Sequence, residues 1–285
     1  MNVLKLTDAL QTMRAFYSKH GYAVAKGLLP RNIVDETLGE IHALFAQHLK
    51  RLKCTPVGYK DNLSLFADML ALFEADRDAY LASARATSRL STVYRLVMHS
   101  AIDSTLKSMG LVLPAITTGP IVHIMAKELR IPGGYFGLMP HQDWSTSQGS
   151  LDTVTIWIPL VNVDRGLYPL QVMGGSHTKG LWRGQRNGLY YEVDESLCKD
   201  SDFLSVEVEP GDVVFMSGFT VHRSGPGLRK GVRLACSVRY DNMSEPTYIE
   251  RFYPCTYKRV LEQDFLLKEF PTPEQVAAVF SISKE

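Results

Sequence analysis

The chain has no paired cysteines, no long apolar run and no surplus of charge, and each absence closes off a class of protein. Its four cysteines, Cys54, Cys198, Cys236 and Cys255, form no CxxC pair and no zinc-ligand spacing, so neither a disulfide framework nor a zinc module is expected. They read as reduced thiols, mostly core residues, of a cytoplasmic protein. The longest apolar stretch, Val154 to Val161, falls far short of the roughly 20 residues that a membrane-spanning helix needs. The opening MNVLKLTDALQTMRAFY lacks the apolar centre and cleavage site of a secretory signal. Lys and Arg number 31 against 30 Asp and Glu, a net charge of +1. That balance supplies no concentrated basic surface for nucleic acid or an anionic membrane, and no disordered charged tail. What remains is ordinary: 45% hydrophobic residues in 285, enough to bury a substantial core.

Two textures divide the sequence. The first 110 or so residues read mainly as helix. Thr7-Asp8 can cap a helix that stops at Gly21, and Pro30 stands where the next begins. Ile33, Val34, Leu38, Ile41, Leu44, Phe45 and Leu49 then recur at helical spacing, and residues 62–81 and 86–109 continue the pattern until Gly110 and Pro114 end it. From about 116, short runs of Val, Ile, Thr and aromatics alternate with turn clusters, the pattern of a sandwich or jelly roll. Strands are expected near 120–129, 152–161, 169–174, 204–208, 212–217 and 232–240. Turns are expected at Pro-Gly-Gly (132–134), Gly-Gly-Ser (174–176), Pro-Gly-Asp (210–212) and Ser-Gly-Pro-Gly (224–227). Thr272-Pro273-Glu274-Gln275 reads as a helix start, with Thr as cap and Gln three residues on. With no repeat and no linker, one domain over residues 1–285 is expected: a mainly helical part (1–115), a β core (116–245) and a C-terminal extension with a helix (246–285).

The residues that carry chemistry begin with His141-Gln142-Asp143. On an extended segment, side chains two apart share a side, so His141 and Asp143 could grip one metal ion. With 8 histidines and 30 acids, chance supplies about one such spacing, so the pair alone also fits a solvated loop. Residues 209–222 then read as a turn, a buried strand, a short turn and a histidine, His222, in an apolar setting. Together the three give two His and one carboxylate on one face of a metal, the set used by non-haem Fe(II) oxygenases, which leaves room for a bidentate 2-oxo acid and O2. A 2-oxo acid also needs its far carboxylate held, which suits the planar fork of an arginine. Arg233 lies eleven residues after His222, on a strand where Arg233, Ala235, Ser237 and Arg239 share one face. It is either aimed into a cavity or an exposed strand arginine.

These segments resemble the phytanoyl-CoA dioxygenase superfamily of Fe(II)- and 2-oxoglutarate-dependent oxygenases. The matching stretches are HQDW (141–144), VTIWIPLVNV (154–163), LYPLQVMGGSHTKG (167–180), EPGDVVFMSGFTVHRSGPG (209–227) and RLACSVRYDN (233–242). They follow the family's order and spacing, and the helix-then-strand opening from Phe16 to Pro30 is more loosely similar. The resemblance spans about residues 10 to 245. It implies a mainly β fold with α, a double-stranded β-helix (jelly-roll, cupin-like) core wrapped by N-terminal helices. It also implies Fe(II), 2-oxoglutarate as cosubstrate, and O2. Iron ligands would be His141, Asp143 and His222, and Arg233 the cosubstrate's carboxylate anchor. Ser224 would help that anchor, Trp157 would line the pocket, and Gln142 would be a further cosubstrate contact. The one departure, Gly174 where the family usually has Pro, is a turn residue.

The implied reaction is hydroxylation, or another oxidation, of a small-molecule substrate, with release of succinate and CO2. Related halogenases carry Gly or Ala where Asp143 stands, so halogen transfer is not expected. The alternatives are a non-catalytic metal-binding jelly-roll module and a cupin-type isomerase or hydrolase, neither of which needs Arg233. Outside the motifs, His177 is expected to bond backbone, His123 to be a satisfied core histidine and Lys127 a surface lysine. Arg183, Arg186, Tyr190 and Tyr191 lie in a long segment between strands that either borders the cavity mouth or is a plain loop.

Overall fold

A computed structural model describes residues 6–131, 137–187, 190–255 and 271–281. The helical part begins with α1 (Leu6–His20). Leu6 is already helical, so the helix does not begin at the expected Thr7-Asp8. Gly21 ends it with φ +77, and a Cβ there would come within 2.5 Å of His177 Nδ1 and Thr220 Oγ1, so both the turn and the close packing require glycine. A short strand, β1 (Tyr22–Ala25), follows. Then come α2 (Arg31–Arg51), α3 (Asn62–Ala75), α4 (Arg77–Thr87), α5 (Ser91–Val97) and α6 (Ser100–Ser108). Along α2, Val34, Leu38, Ile41, Phe45 and Leu49 are all buried, the one-sided stripe that their spacing predicts. Asp61 starts α3 with a capping box to Ser64, and Asp76 caps α4.

The remaining strands are β2 (Pro114–Met125), β3 (Val154–Pro159), β4 (Leu170–Val172), β5 (Gly184–Asn187) and β6 (Tyr190–Val193). They continue with β7 (Leu204–Val206), β8 (Val213–Ser217), β9 (His222–Ser224) and β10 (Arg233–Asn242). Five of the ten form an antiparallel sheet in the order β1-β8-β3-β10-β2. Opposite it, β7-β4-β9 form a second sheet. His141 extends that sheet by bridging His222 of β9 on one side and Glu192 of the β5-β6 hairpin on the other. Two facing antiparallel sheets with a helical layer are the expected jelly-roll core. β3 and β8 are buried along their whole length, as befits central strands covered on both faces. Helices α4, α5 and α6 pack on β2, and α5 also reaches β10.

The expected strands are present within a few residues of their expected ends, save that β2 starts at Pro114 and gives way to a 3-10 turn at Lys127–Leu129, and β10 runs on to Asn242. β1 is the strand of the helix-then-strand opening, and β9 and the β5-β6 hairpin are additions to the expectation. The Pro-Gly-Gly turn (132–134) lies outside the described residues. At the other end, Thr272 and Gln275 form the expected capping box for a helix at Pro273–Val279, which packs on the turn Ser176–Lys179. Among the described residues, no helix is long and apolar enough to cross a membrane.

Candidate metal centre

His141 and Asp143 do not lie on one extended strand, as their spacing suggests. His141 is in the bridge to β9, but Asp143 already has helical backbone (φ −64, ψ −33) and opens a one-turn helix, α7 (Trp144–Ser147). His222 is the first residue of β9, and the two histidines exchange both main-chain hydrogen bonds, each 3.0 Å. Their imidazoles lie side by side, ring centres 4.1 Å apart.

The backbone also settles their tautomers. Nδ1–H of His141 donates to the Met139 carbonyl at 2.8 Å, and Nδ1–H of His222 to the Thr220 carbonyl at 2.9 Å. A nitrogen facing a carbonyl must carry the hydrogen, so each Nε2 keeps its lone pair. Those Nε2 atoms lie 3.7 and 3.9 Å from the Asp143 carboxylate. Burial, reinforced by His222, pulls His141 down to about 3, and burial lowers His222 as well. Both are neutral imidazoles at neutral pH. Burial by itself would raise Asp143, but Arg239 and the two histidines outweigh it and hold the carboxyl far below the usual range.

Asp143 is held at both oxygens: Oδ2 accepts from the Thr155 hydroxyl at 2.6 Å, Oδ1 from Arg239 at 2.9 Å. One ligand atom from each of His141, Asp143 and His222 lies within 4.8 Å of the others, and all three residues are buried. Among the described residues no other group of three His, Cys, Asp or Glu converges in this way. Two neutral imidazole nitrogens and one carboxylate oxygen, on one side of an open space, are a donor set that fits a first-row divalent cation such as Fe(II).

The open space is a cavity of about 400 Å³, counting its mouth. Arg233, buried at the start of β10, enters it with Nη1 on the Tyr168 carbonyl at 3.0 Å and its guanidinium 5.8 Å from the Trp157 ring centre. Ser224 lines the same wall, its hydroxyl accepting from the Leu138 amide at 3.2 Å. The structure therefore brings six of the seven expected residues to one cavity.

Gln142 is the exception. Its amide donates to the Gly180 and Phe219 carbonyls at 2.8 and 2.6 Å and accepts from the Trp182 amide at 2.8 Å. It faces away from the cavity as a tether between three chain segments, and so is not placed to touch a cosubstrate. His123 is hydrogen-bonded, as expected of a satisfied histidine, but it faces the cavity and not the core. It lines the cavity, its Nε2 at 2.8 Å from the Ser237 hydroxyl, and burial together with Arg233 and Arg239 lowers it to about 3.

His177 and Lys127 behave as expected: the first donates to the Ser18 carbonyl at 3.0 Å, the second is exposed. Arg183 pairs with Asp194 at 3.1 Å beside a groove lined by Met139 and Glu192. The side chains of Arg186 and Tyr190 lie outside the described residues. Arg239, His123 and Thr155 are polar cavity residues to which the resemblance assigned no role, although Thr155 and Arg239 lie within its motifs. Their one signal in the sequence is alternation, since Arg239 shares a strand face with Arg233, and Thr155 with Trp157.

The sequence model of the family described as phytanoyl-CoA dioxygenase (PhyH) matches residues 17–235. The chain is 25% identical over 260 residues to 1-deoxypentalenic acid 11-beta-hydroxylase of Streptomyces exfoliatus, covering 82% of each. It is 25% identical over 267 residues to the peroxisomal phytanoyl-CoA dioxygenase of Rattus norvegicus, covering 87% of this chain and 71% of that one. In fold it is similar to the epimerase SnoN, whose crystal structure holds Fe3+, alpha ketoglutarate and nogalamycin RO. The TM-score is 0.56 at 19% identity, over 82% of this chain and 84% of that one.

Proposed function

The chain belongs to the phytanoyl-CoA dioxygenase family, and from that premise we propose that it oxidises a C–H bond of a small-molecule substrate, by hydroxylation or another oxidation without halogen transfer, using Fe(II), 2-oxoglutarate and O2 and releasing succinate and CO2. The observation that carries this reading is the cavity itself, with His141, Asp143 and His222 converging on one part of its wall and the buried Arg233 on another. A non-catalytic module, or an isomerase using another metal, has no use for that arginine.

The chain's residues divide the work. His141, Asp143 and His222 hold the iron, the two imidazoles kept in the right tautomer by the Met139 and Thr220 carbonyls. Asp143 keeps its charge at working pH because Arg239 and Thr155 hydrogen-bond its oxygens, and it fills the position that a halide would otherwise take. Arg233 offers its fork to the far carboxylate of 2-oxoglutarate, with the Ser224 hydroxyl beside it, and Trp157 forms the apolar wall. Once bound, iron and 2-oxoglutarate supply the oxidising power, and the protein supplies placement and exclusion of water.

The test is anaerobic loading with Fe(II) and 2-oxoglutarate, then admission of air, with succinate measured in the wild type and in His222→Ala. Slow succinate release is expected from the wild type even without substrate, and none from the variant. Equal release from both would make the signal adventitious and return the non-catalytic module to first place.

A further inference from the structure

The residue behind Arg233 holds a backbone conformation that its type disfavours. Tyr168, in the loop that leads into β4, has φ +46, left-handed backbone in which a side chain is strained and glycine is not. In extended backbone, the amide and carbonyl of one residue point the same way. The left-handed turn separates them, so that the Tyr168 amide donates to the Pro226 carbonyl at 3.1 Å while its carbonyl accepts from Arg233 Nη1 at 3.0 Å. The strain therefore falls on the residue whose carbonyl holds the proposed anchor, at a position where glycine would be unstrained.

The side chain accounts for the tyrosine. It is buried, and its hydroxyl accepts from the Lys127 amide at 2.8 Å. Its ring lies on Gly227, where a Cβ would overlap ring carbons, and Leu167 bridges that same glycine. The ring is thus fitted between the turn that follows β2 and the loop from β9 to β10. Both adjoin Arg233: Met125, two residues before Lys127, is its partner on β2, and the loop runs directly into it. One side chain ties these segments together, and the main chain of the same residue holds the guanidinium that they carry. A planar fork binds a carboxylate best when its plane is set beforehand, since a long side chain otherwise loses its freedom on binding.

We infer that Tyr168 is a positioning residue for 2-oxoglutarate: its ring and hydroxyl lock a strained turn whose carbonyl fixes the Arg233 guanidinium for the far carboxylate. The inference rests on the reading of Arg233 as the anchor of that carboxylate.

The test compares 2-oxoglutarate with 2-oxopentanoate, which has a methyl group in place of the far carboxylate, on full-length protein loaded with Mn(II). Binding of each is read from the water-proton relaxation of the manganese. The wild type is expected to prefer 2-oxoglutarate, and Arg233→Ala to lose that preference. Tyr168→Gly, which frees the turn and removes the side chain, should weaken 2-oxoglutarate by about tenfold, the cost of immobilising one long side chain anew. Its affinity for 2-oxopentanoate and for Mn(II) should stay as in the wild type, a split that general destabilisation would not produce. Tyr168→Phe, which keeps the ring and loses only the bond to Lys127, should fall between, and it carries the test if Tyr168→Gly does not fold. Unchanged 2-oxoglutarate affinity in a folded Tyr168 variant, or an equal loss for both acids, would overturn the inference and leave the anchor standing. A wild type without the preference, or a preference retained in Arg233→Ala, removes the anchor and this inference with it.

Discussion

Replacing Gln142 with Ala tests whether that residue is a tether or a cosubstrate contact. Its side chain sits between two of the proposed ligands, is 2% exposed, and satisfies three main-chain groups: the Gly180 carbonyl, the Phe219 carbonyl and the Trp182 amide. Alanine removes all three partners from places water cannot easily reach. At roughly 1–3 kcal/mol for each buried group left unsatisfied, the loss is on the order of 4 kcal/mol, allowing for partial relaxation. For a chain of this size that lowers the thermal midpoint by about 8 °C. The damage should also reach the metal, because Phe219 is three residues before His222 and Gln142 adjoins both His141 and Asp143. Urea melts together with Mn(II) titration of the apoprotein measure both effects, and Gln142→Glu, which keeps the acceptor but sets an oxygen against two buried carbonyls, should be no more stable than Gln142→Ala. A Gln142→Ala protein that melts within 1 kcal/mol of the parent but no longer binds 2-oxoglutarate would refute the tether and restore the contact that the sequence alone suggests.

Three further outcomes follow from the cavity and its surroundings. Asp143→Ala should keep its fold and lose an order of magnitude or more in Fe(II) or Mn(II) affinity, which equilibrium dialysis would show; unchanged metal content would remove Asp143 from the ligand set. Arg233→Ala should weaken 2-oxoglutarate binding by about 2–5 kcal/mol, read by calorimetry on Mn(II)-loaded protein; parental affinity would mean that another cation is the anchor. Burial, with Glu245 nearby, lifts Asp152 from an ordinary 3.8 to about 6 despite its bond from Asn242. Between those values the folded chain keeps a proton that the unfolded chain has released. Stability therefore falls as pH rises through that window, by about 3 kcal/mol in all. Asp152→Asn should flatten the slope of the urea midpoint between pH 4 and 6, and an undiminished slope would place its source elsewhere.

The parts legible in the sequence were those where side-chain pattern and local structure share a cause. The α2 stripe, the Thr272 cap, the glycine after His20 and the apolar strands β3 and β8 each announce themselves within a few residues. The gathering of His141, Asp143 and His222 was legible through the family resemblance and not through local pattern, since the jelly roll's connectivity makes neighbours of residues eighty positions apart. What was illegible depends on partners that only the fold supplies. β9 is three residues, His-Arg-Ser, and β5 is Gly-Gln-Arg-Asn, with no β-branched run to betray a strand; main-chain pairing with β4 and β6 makes them strands. Gln142 looks like a site residue because of its neighbours, yet helical backbone begins at Asp143, and the chain's turn there carries the Gln142 amide toward Phe219 and Gly180. Arg239 shows only alternation within its motif, His123 lies outside the motifs, and the hydrogen bonds of both run through Ser237, to which the motif assigns no role.

The main-chain exchange between His141 and His222 bears on when the metal arrives. Those two hydrogen bonds belong to the sheet, so the spacing of the two imidazoles is inherited from strand pairing and not imposed by an ion. In modules whose ligands sit on otherwise unstructured loops, metal binding is the folding event, and chelators unfold them. Here the site is a finished part of the barrel, and Arg239 occupies Asp143 in the meantime. Stripping the proposed ion with a chelator is therefore expected to leave the barrel folded, which a thermal melt of the chelated protein would show.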